Sequence, residues 1–212
     1  ATGGKADIAA DTVRTIEGGA RRVALAGTYR IGKQIAFDGR AQASGAAVAQ
    51  KPLAGLTGIG GAVPGTPVAP LATAAAQAIQ KAGRGFAADA DLRVQIDGGR
   101  GKAVLSRLAL AAASGARVAL GGGSGVAFGW PNEGVRLDTV LAMRGGGLPE
   151  ARISLAQAKP GAAIRGVATI SPYSAGGASL ALTPVTFSAT PGGATSIRTR
   201  VTLGGPIGAG GP

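Results

Sequence analysis

Between Phe86 and Asp97 the chain alternates without a fault. Phe86, Ala88, Ala90, Leu92, Val94 and Ile96 take one parity; Ala87, Asp89, Asp91, Arg93, Gln95 and Asp97 take the other. Successive side chains of a strand point to opposite faces, so this run predicts a strand that is apolar on one face and charged on the other. Upstream, Val23, Leu25, Gly27, Tyr29 and Ile31 share a parity, Gly32-Lys33 reads as a hairpin turn, and Ile35, Phe37, Gly39, Ala41 and Ala43 repeat the pattern. That is a half-buried strand pair. Residues 1–20, with Ile8, Val13 and Ile16 as their only large apolar residues and Gly18-Gly19 as a turn, predict one short strand.

Downstream of a turn at Gly98–Gly101, Val104, Leu108, Leu110 and Ala112 continue opposite Arg107, with Leu105 out of phase. Ala116, Val118 and Leu120 follow, opposite Arg117. Further strands are predicted at Val126–Trp130, Val135–Arg144, Ala151–Ala158, Ala162–Ile170, Ala178–Ala189 and Ala194–Leu203, each bounded by Gly, Pro, Asn or Ser. Their spacing is that of successive antiparallel hairpins. Arg136, Arg144, Arg152, Arg165, Arg198 and Arg200 recur on the polar parity. A meandering sheet, apolar on one face and basic on the other, accounts for all of this.

One stretch has the helical period. Val68, Leu71, Ala75, Ile79 and Ala82 fall on one stripe, Gln77, Gln80 and Lys81 lie off it, and Gly83 and Gly85 end it. The start is either Thr66 with Pro67 as first helical residue, or Ala69 with Pro70 in that role; Thr66 has the better capping side chain. A helix over about residues 67–83 is expected to lie against the sheet. Gln50–Gly65 reads as a loop with one helical turn at Leu53–Thr57, so residues 50–85 form a loop-and-helix insertion. Residues 1–212 are otherwise one unit, since no composition break divides them and no fixed repeat period appears.

Composition narrows the chemistry. The 212 residues are 45% hydrophobic, yet 39 are Gly and only seven are aromatic (4 Phe, 2 Tyr, 1 Trp), so burial rests on Ala, Val, Leu and Ile. Cys and His are both absent, which removes the thiol nucleophile, the usual soft metal ligands and the commonest general base. No metal, cofactor or catalytic residue is expected. The net charge of +12, from 22 basic and 10 acidic residues, fits a solvated face, nucleic acid or an anionic membrane surface. Nucleic acid is disfavoured because no aromatics interleave with the basic residues. If the basic face binds something, anionic lipid headgroups suit it better.

The glycine clusters Gly58–Gly61, Gly121–Gly125 and Gly145–Gly147 lack the helix N-terminus or the Lys-Ser/Thr follow-on that a phosphate loop needs, and read as turns. Asp89, Asp91 and Asp97 share a strand face with alternate positions about 7 Å apart, but no second acidic segment converges on them, and they read as a solvated edge.

The run Gly65-Thr66-Pro67-Val68-Ala69-Pro70-Leu71-Ala72, the helix and the strand from Phe86, followed by Ser114-Gly115-Ala116, Gly145-Gly146-Gly147-Leu148-Pro149, Ser171-Pro172-Tyr173 and Leu182-Thr183-Pro184-Val185, resembles the YdbH family of AsmA-like envelope proteins. The resemblance spans about Val23 to Gly208. It implies an elongated antiparallel sheet curled into an open, U-shaped groove with one packed helix, carrying phospholipid between the inner and outer membranes of a Gram-negative envelope. It also implies a periplasmic location, anchored to the inner membrane through a segment missing from this chain, and partners in the two membranes or their proteins.

Under that reading acyl chains lie against Leu92, Val94 and Ile96; Val104, Leu108 and Leu110; Val118 and Leu120; Val135, Leu137 and Leu141; Ile153 and Leu155; and Ile164. A helix of about 16 residues spans about 24 Å and covers three or four strands, so a sheet of about eleven leaves apolar surface over, and such surface marks binding. The alternative is a ligand-free structural or adhesive β-solenoid of a cell surface. An outer-membrane barrel predicts aromatic girdles that the chain lacks.

Overall fold

The computed structural model describes residues 2–15, 18–48, 69–190 and 193–204. These residues are mainly β, with one helix. Strands β1 (Thr2–Thr15), β2 (Gly18–Ile31) and β3 (Gln34–Val48) precede helix α1 (Ala69–Ala82). There follow β4 (Arg84–Asp97), β5 (Arg100–Ala112), β6 (Arg117–Trp130), β7 (Gly134–Arg144), β8 (Ala151–Gln157) and β9 (Ile164–Ile170). The chain ends with β10 (Tyr173–Ala175), β11 (Ala178–Leu182), β12 (Val185–Ala189), β13 (Thr195–Arg198) and β14 (Val201–Gly204).

Nine strands meander in chain order, each antiparallel to the last, and β12 and β13 complete an eleven-stranded sheet. Its edges, β1 and β13, remain apart, so the sheet is not closed into a barrel. Strands β10, β11 and β14 make a separate three-stranded sheet. Proline sets the change in strand length along the chain. Strands β1 to β6 run 13–15 residues and contain none. From Pro131 on, Pro149, Pro160, Pro172 and Pro184 each occupy a connection, and β8, β9 and β12 shrink to 5–7 residues. Proline has no N–H for the ladder and stops it where it stands.

Several expectations change. Residues 2–15 form a full 14-residue strand, and Gly18 and Gly19 open β2 instead of turning the chain. Gly121–Gly125 is no hairpin turn either. It lies inside β6 as a bulge, with Gly122, Gly123 and Gly125 at positive φ, between the pairs Gly121–Val140 and Gly125–Asp138. The two stretches expected at Ala178–Ala189 and Ala194–Leu203 are each divided between the two sheets, the first at Thr183-Pro184 and the second at Thr199-Arg200.

The expected loop with its turn at Leu53–Thr57, and the Thr66-Pro67 start, lie outside the described residues. Within them the helix begins at Ala69, and Gly83 closes it by donating its N–H to the Ile79 carbonyl at 2.9 Å. The helix does not lie across the broad sheet. It packs against β10, β11 and β4, with Leu71 and Ala78 buried and Ala78 beside Gly147 of the β7–β8 turn.

Candidate functional site

Residues directly paired across strands share a face, so the register decides which side chains come together. Along the sheet Ile8 pairs with Leu25, Leu25 with Ala41, Ala41 with Ala90 and Ala90 with Leu108. From there the row runs through Leu120 and Leu141 to Ile153 and Ala168, and on to Val185. One apolar face therefore crosses from β1 to β12.

Of the expected contact residues, Leu92, Val94, Ile96, Leu108, Leu110, Val118, Leu120, Val135, Leu137, Leu141, Ile153, Leu155 and Ile164 all stand on this face. Val104 does not. Asp91 pairs with Arg107 but Leu92 pairs with Leu105, so Ser106 is an extra residue, a bulge that inverts the parity of everything before it in β5. Val104 stands beside Arg93 on the charged face, and Leu105 takes its place among the apolar residues. The out-of-phase Leu105 was the signal for that bulge in the sequence. Val126 and Met143, beside Leu137 and Val118, also belong to the face.

Except for Val135, which is 44% exposed, the thirteen are half-buried. Among the described residues no large side chain is fully buried, and the buried apolar residues are five alanines and Leu71. The aliphatic residues of this face thus stay partly open to solvent, while Thr139 and Gln157 among them are buried. Four aromatics lie down on it. The Phe37 ring covers Gly27 and Gly39, Trp130 covers Gly101, Phe187 covers Gly166, and Tyr29 covers Gly4, in each case so closely that a Cβ on the glycine would meet the ring. Glycine beneath a ring is what lets a flat aromatic rest on the backbone.

The opposite face has two parts. On β3 to β5 it is a ladder of ion pairs. Arg93 and Asp38 meet at 2.7 Å; Arg40 Nε donates to Asp89 at 2.6 Å; Arg107 bridges Asp89 and Asp91, the latter at 3.0 Å. Asp89 also accepts from Gln42 at 2.9 Å. The hydrogen bond from Arg40, then that from Gln42, holds the Asp89 carboxyl below its ordinary value, and the same bond with Asp89 raises Arg40. Asp89 and Asp91, read with Asp97 as a solvated edge, stand in mid-sheet with β4 flanked on both sides. In the β6 bulge, Ser124 donates its N–H at 2.9 Å and its hydroxyl at 2.8 Å to Asp138. Those bonds, the backbone one first, lower the Asp138 carboxyl.

On β6 to β9 the charge is one-sided. Residues 117–170 carry six basic and three acidic residues, and Arg117 is paired directly with Arg144. Arg152 is on the next strand, paired with Ala142. All ion pairs among the described residues lie in β3 to β5.

A cavity of about 920 Å³ is lined mainly by this charged parity, with Leu110, Val118 and Met143 of the apolar parity also at its wall. Its walls come from eight consecutive strands, from Arg22 and Ala24 of β2 to Thr169 of β9. The cross-strand row Asp89–Ala109–Ala119–Ala142–Arg152 crosses its floor. Of the fourteen expected residues only Leu110 and Val118 touch it. A smaller, almost wholly apolar cavity of about 270 Å³ lies where Leu71 and Ala75 of α1 meet Ile170, Tyr173, Leu180 and Leu182.

Among the described residues no His, Cys, Asp or Glu cluster gathers as a metal site, and no helix is long and apolar enough to cross a membrane. Comparison with protein-family models, with curated proteins and with solved structures produced no match to this chain.

Proposed function

We propose that the chain is a non-enzymatic lipid-binding sheet, a segment of a bridge-like protein that moves phospholipid between the inner and outer membranes of a Gram-negative envelope. The observation that carries this reading is the apolar face continuous from β1 to β12, whose large side chains are half-exposed and none fully buried. Contiguous apolar surface of this extent on a protein surface marks a ligand or a partner. Acyl chains match it without any polar anchor: each methylene leaving water contributes about 0.8 kcal/mol. The flat aromatics leave the face smooth, and the sheet curls around its lipid as an open groove. The resemblance to AsmA-like proteins supplies the periplasmic setting and the two membranes as partners.

Mass spectrometry of lipid carried through purification of the intact chain tests this. Phospholipid retained in a fixed ratio to protein is expected. A clean negative from a folded preparation sinks the reading and favours a ligand-free structural sheet.

A further inference from the structure

The cavity lined mainly by the charged face has its own chemistry. Arg117 and Arg144 are direct cross-strand partners, so their Cβ atoms stand about 4.5–5.5 Å apart on one face, an arrangement that is destabilising for like charges. Neither forms a salt bridge among the described residues, and both line the cavity together with Arg22 and Arg152. The carboxylates on the same wall are Asp89 and Glu150. Asp89 is already held by Arg40 and Arg107, which leaves Glu150 against four guanidinium groups. Local rules that fail beside a cavity are expected at functional sites. The floor between the arginines is made of methyl groups, Ala109, Ala111, Ala119 and Ala142, and is therefore apolar and roomy.

We propose that this cavity binds a phosphoryl anion carried on a slender apolar chain, with Arg117 and Arg144 gripping the phosphoryl oxygens and the alanine floor receiving the chain. Guanidinium groups present paired N–H donors that match phosphate geometry, and an anion between Arg117 and Arg144 turns their mutual repulsion into attraction. The cavity volume of about 920 Å³ lies in the range of small-molecule sites.

Calorimetric titration of the intact chain with dodecyl phosphate, inorganic phosphate and dodecyl maltoside tests the proposal. Dodecyl phosphate is expected to bind saturably and more tightly than either of the others. The Arg117→Gln/Arg144→Gln double variant weakens it about tenfold or more, while Arg136→Gln, on the same face but off the cavity, leaves it unchanged. In the unmodified protein, raising the salt concentration weakens dodecyl phosphate but not dodecyl maltoside.

Equal affinity in the double variant, or salt-independent binding, overturns the arginine grip. Inorganic phosphate binding as tightly as dodecyl phosphate overturns the alanine floor. Thermal unfolding of the double variant, expected to be no lower than that of the parent, shows that the loss is not one of folding; should the variant not fold, the salt titration decides. Neutral phospholipid retained on the apolar face is untouched by these substitutions, so either proposal can fail without the other.

Discussion

Leu108, Leu120 and Leu141 form one cross-strand row, and Ala109, Ala119 and Ala142 form the next row along the same three strands. The two rows differ by one residue in sequence and face opposite ways. On the leucine side the branched chains fill the space above the backbone. On the alanine side the methyls leave it empty, and there the cavity of about 920 Å³ opens. Hydrophobicity therefore marks the face that offers apolar surface, while small side-chain volume marks the face that has enclosed room. Apolar contact area and cavity volume lie on opposite sides of this sheet.

The largest expected effect lies on the leucine side. Leu108→Asp or Leu137→Asp puts a charge into the apolar face and is expected to remove retained phospholipid entirely, read by mass spectrometry, with the far-ultraviolet circular dichroism unchanged. Ala127→Asp, one residue from Val126 but on the other face and off the cavity, is expected to leave the retained lipid at the parent level. Loss of fold in both leucine variants would instead assign these residues to a closed core, and equal lipid loss in Ala127→Asp would erase the distinction between the faces.

The faces themselves were legible in the sequence because period two is written in every long strand: Phe86–Asp97 reads correctly from end to end. Two of the misreadings, at Val104 and at Gly121–Gly125, share one cause. A bulge adds a residue without a turn, and alternation alone does not distinguish a glycine-rich bulge from a glycine-rich turn. Gly121–Gly125 carries the composition of a hairpin, yet Asp138 across the strand gives the Ser124 N–H and hydroxyl a partner inside the ladder. Ser106 shifts Val104 to the charged face for the same reason. The helix stripe was nearly right, with Leu71 and Ala75 placed on it, but Ala78 rather than Ile79 is the buried member. What α1 packs against was illegible, since β10 and β11 meet it only after the chain has built most of the large sheet. The cavity was missed because its walls come from eight strands.

Next in size is an effect confined to the apolar side. A side chain at Gly166 meets the Phe187 ring and the Ser154 carbonyl oxygen, the latter at 2.8 Å. Gly166→Ala is expected to cost about 1–3 kcal/mol by overpacking, a fall of several degrees in Tm by calorimetry. Removing the ring relieves the clash, so Gly166→Ala and Phe187→Ala are expected to be non-additive, the double variant being more stable than the sum of the singles implies. Strict additivity would mean that the ring does not rest on the glycine.

A smaller effect of opposite sign is expected on the alanine side. Arg117→Glu sets an acid opposite Arg144 and extends the ion-pair ladder of β3 to β5 into β6 and β7. Opposite charges across strands contribute about 0.2–1 kcal/mol, so Tm is expected to rise slightly while dodecyl phosphate binding is lost. A fall in Tm would show that the two arginines are not in register as neighbours.

The smallest effect separates the faces by pH, because Asp38, Asp89, Asp91 and Asp138 all stand on the charged side. The folded state lowers Asp89, chiefly through the hydrogen bond from Arg40, and Asp138, chiefly through the Ser124 N–H, from the ordinary 3.8. A depressed carboxyl contributes stability that is fully present above the unfolded value and is lost as pH falls through the folded one. Tm is therefore expected to be level from neutral pH to about pH 5 and to decline below about pH 4. An Asp89→Asn/Asp138→Asn variant starts lower and declines less steeply. An equal slope in parent and variant would remove both carboxylates from the acid transition. Phospholipid retention follows neither titration so long as the sheet stays folded, since no carboxylate of this ladder touches the apolar face. Lipid released in step with the acid transition before unfolding would tie the two faces together.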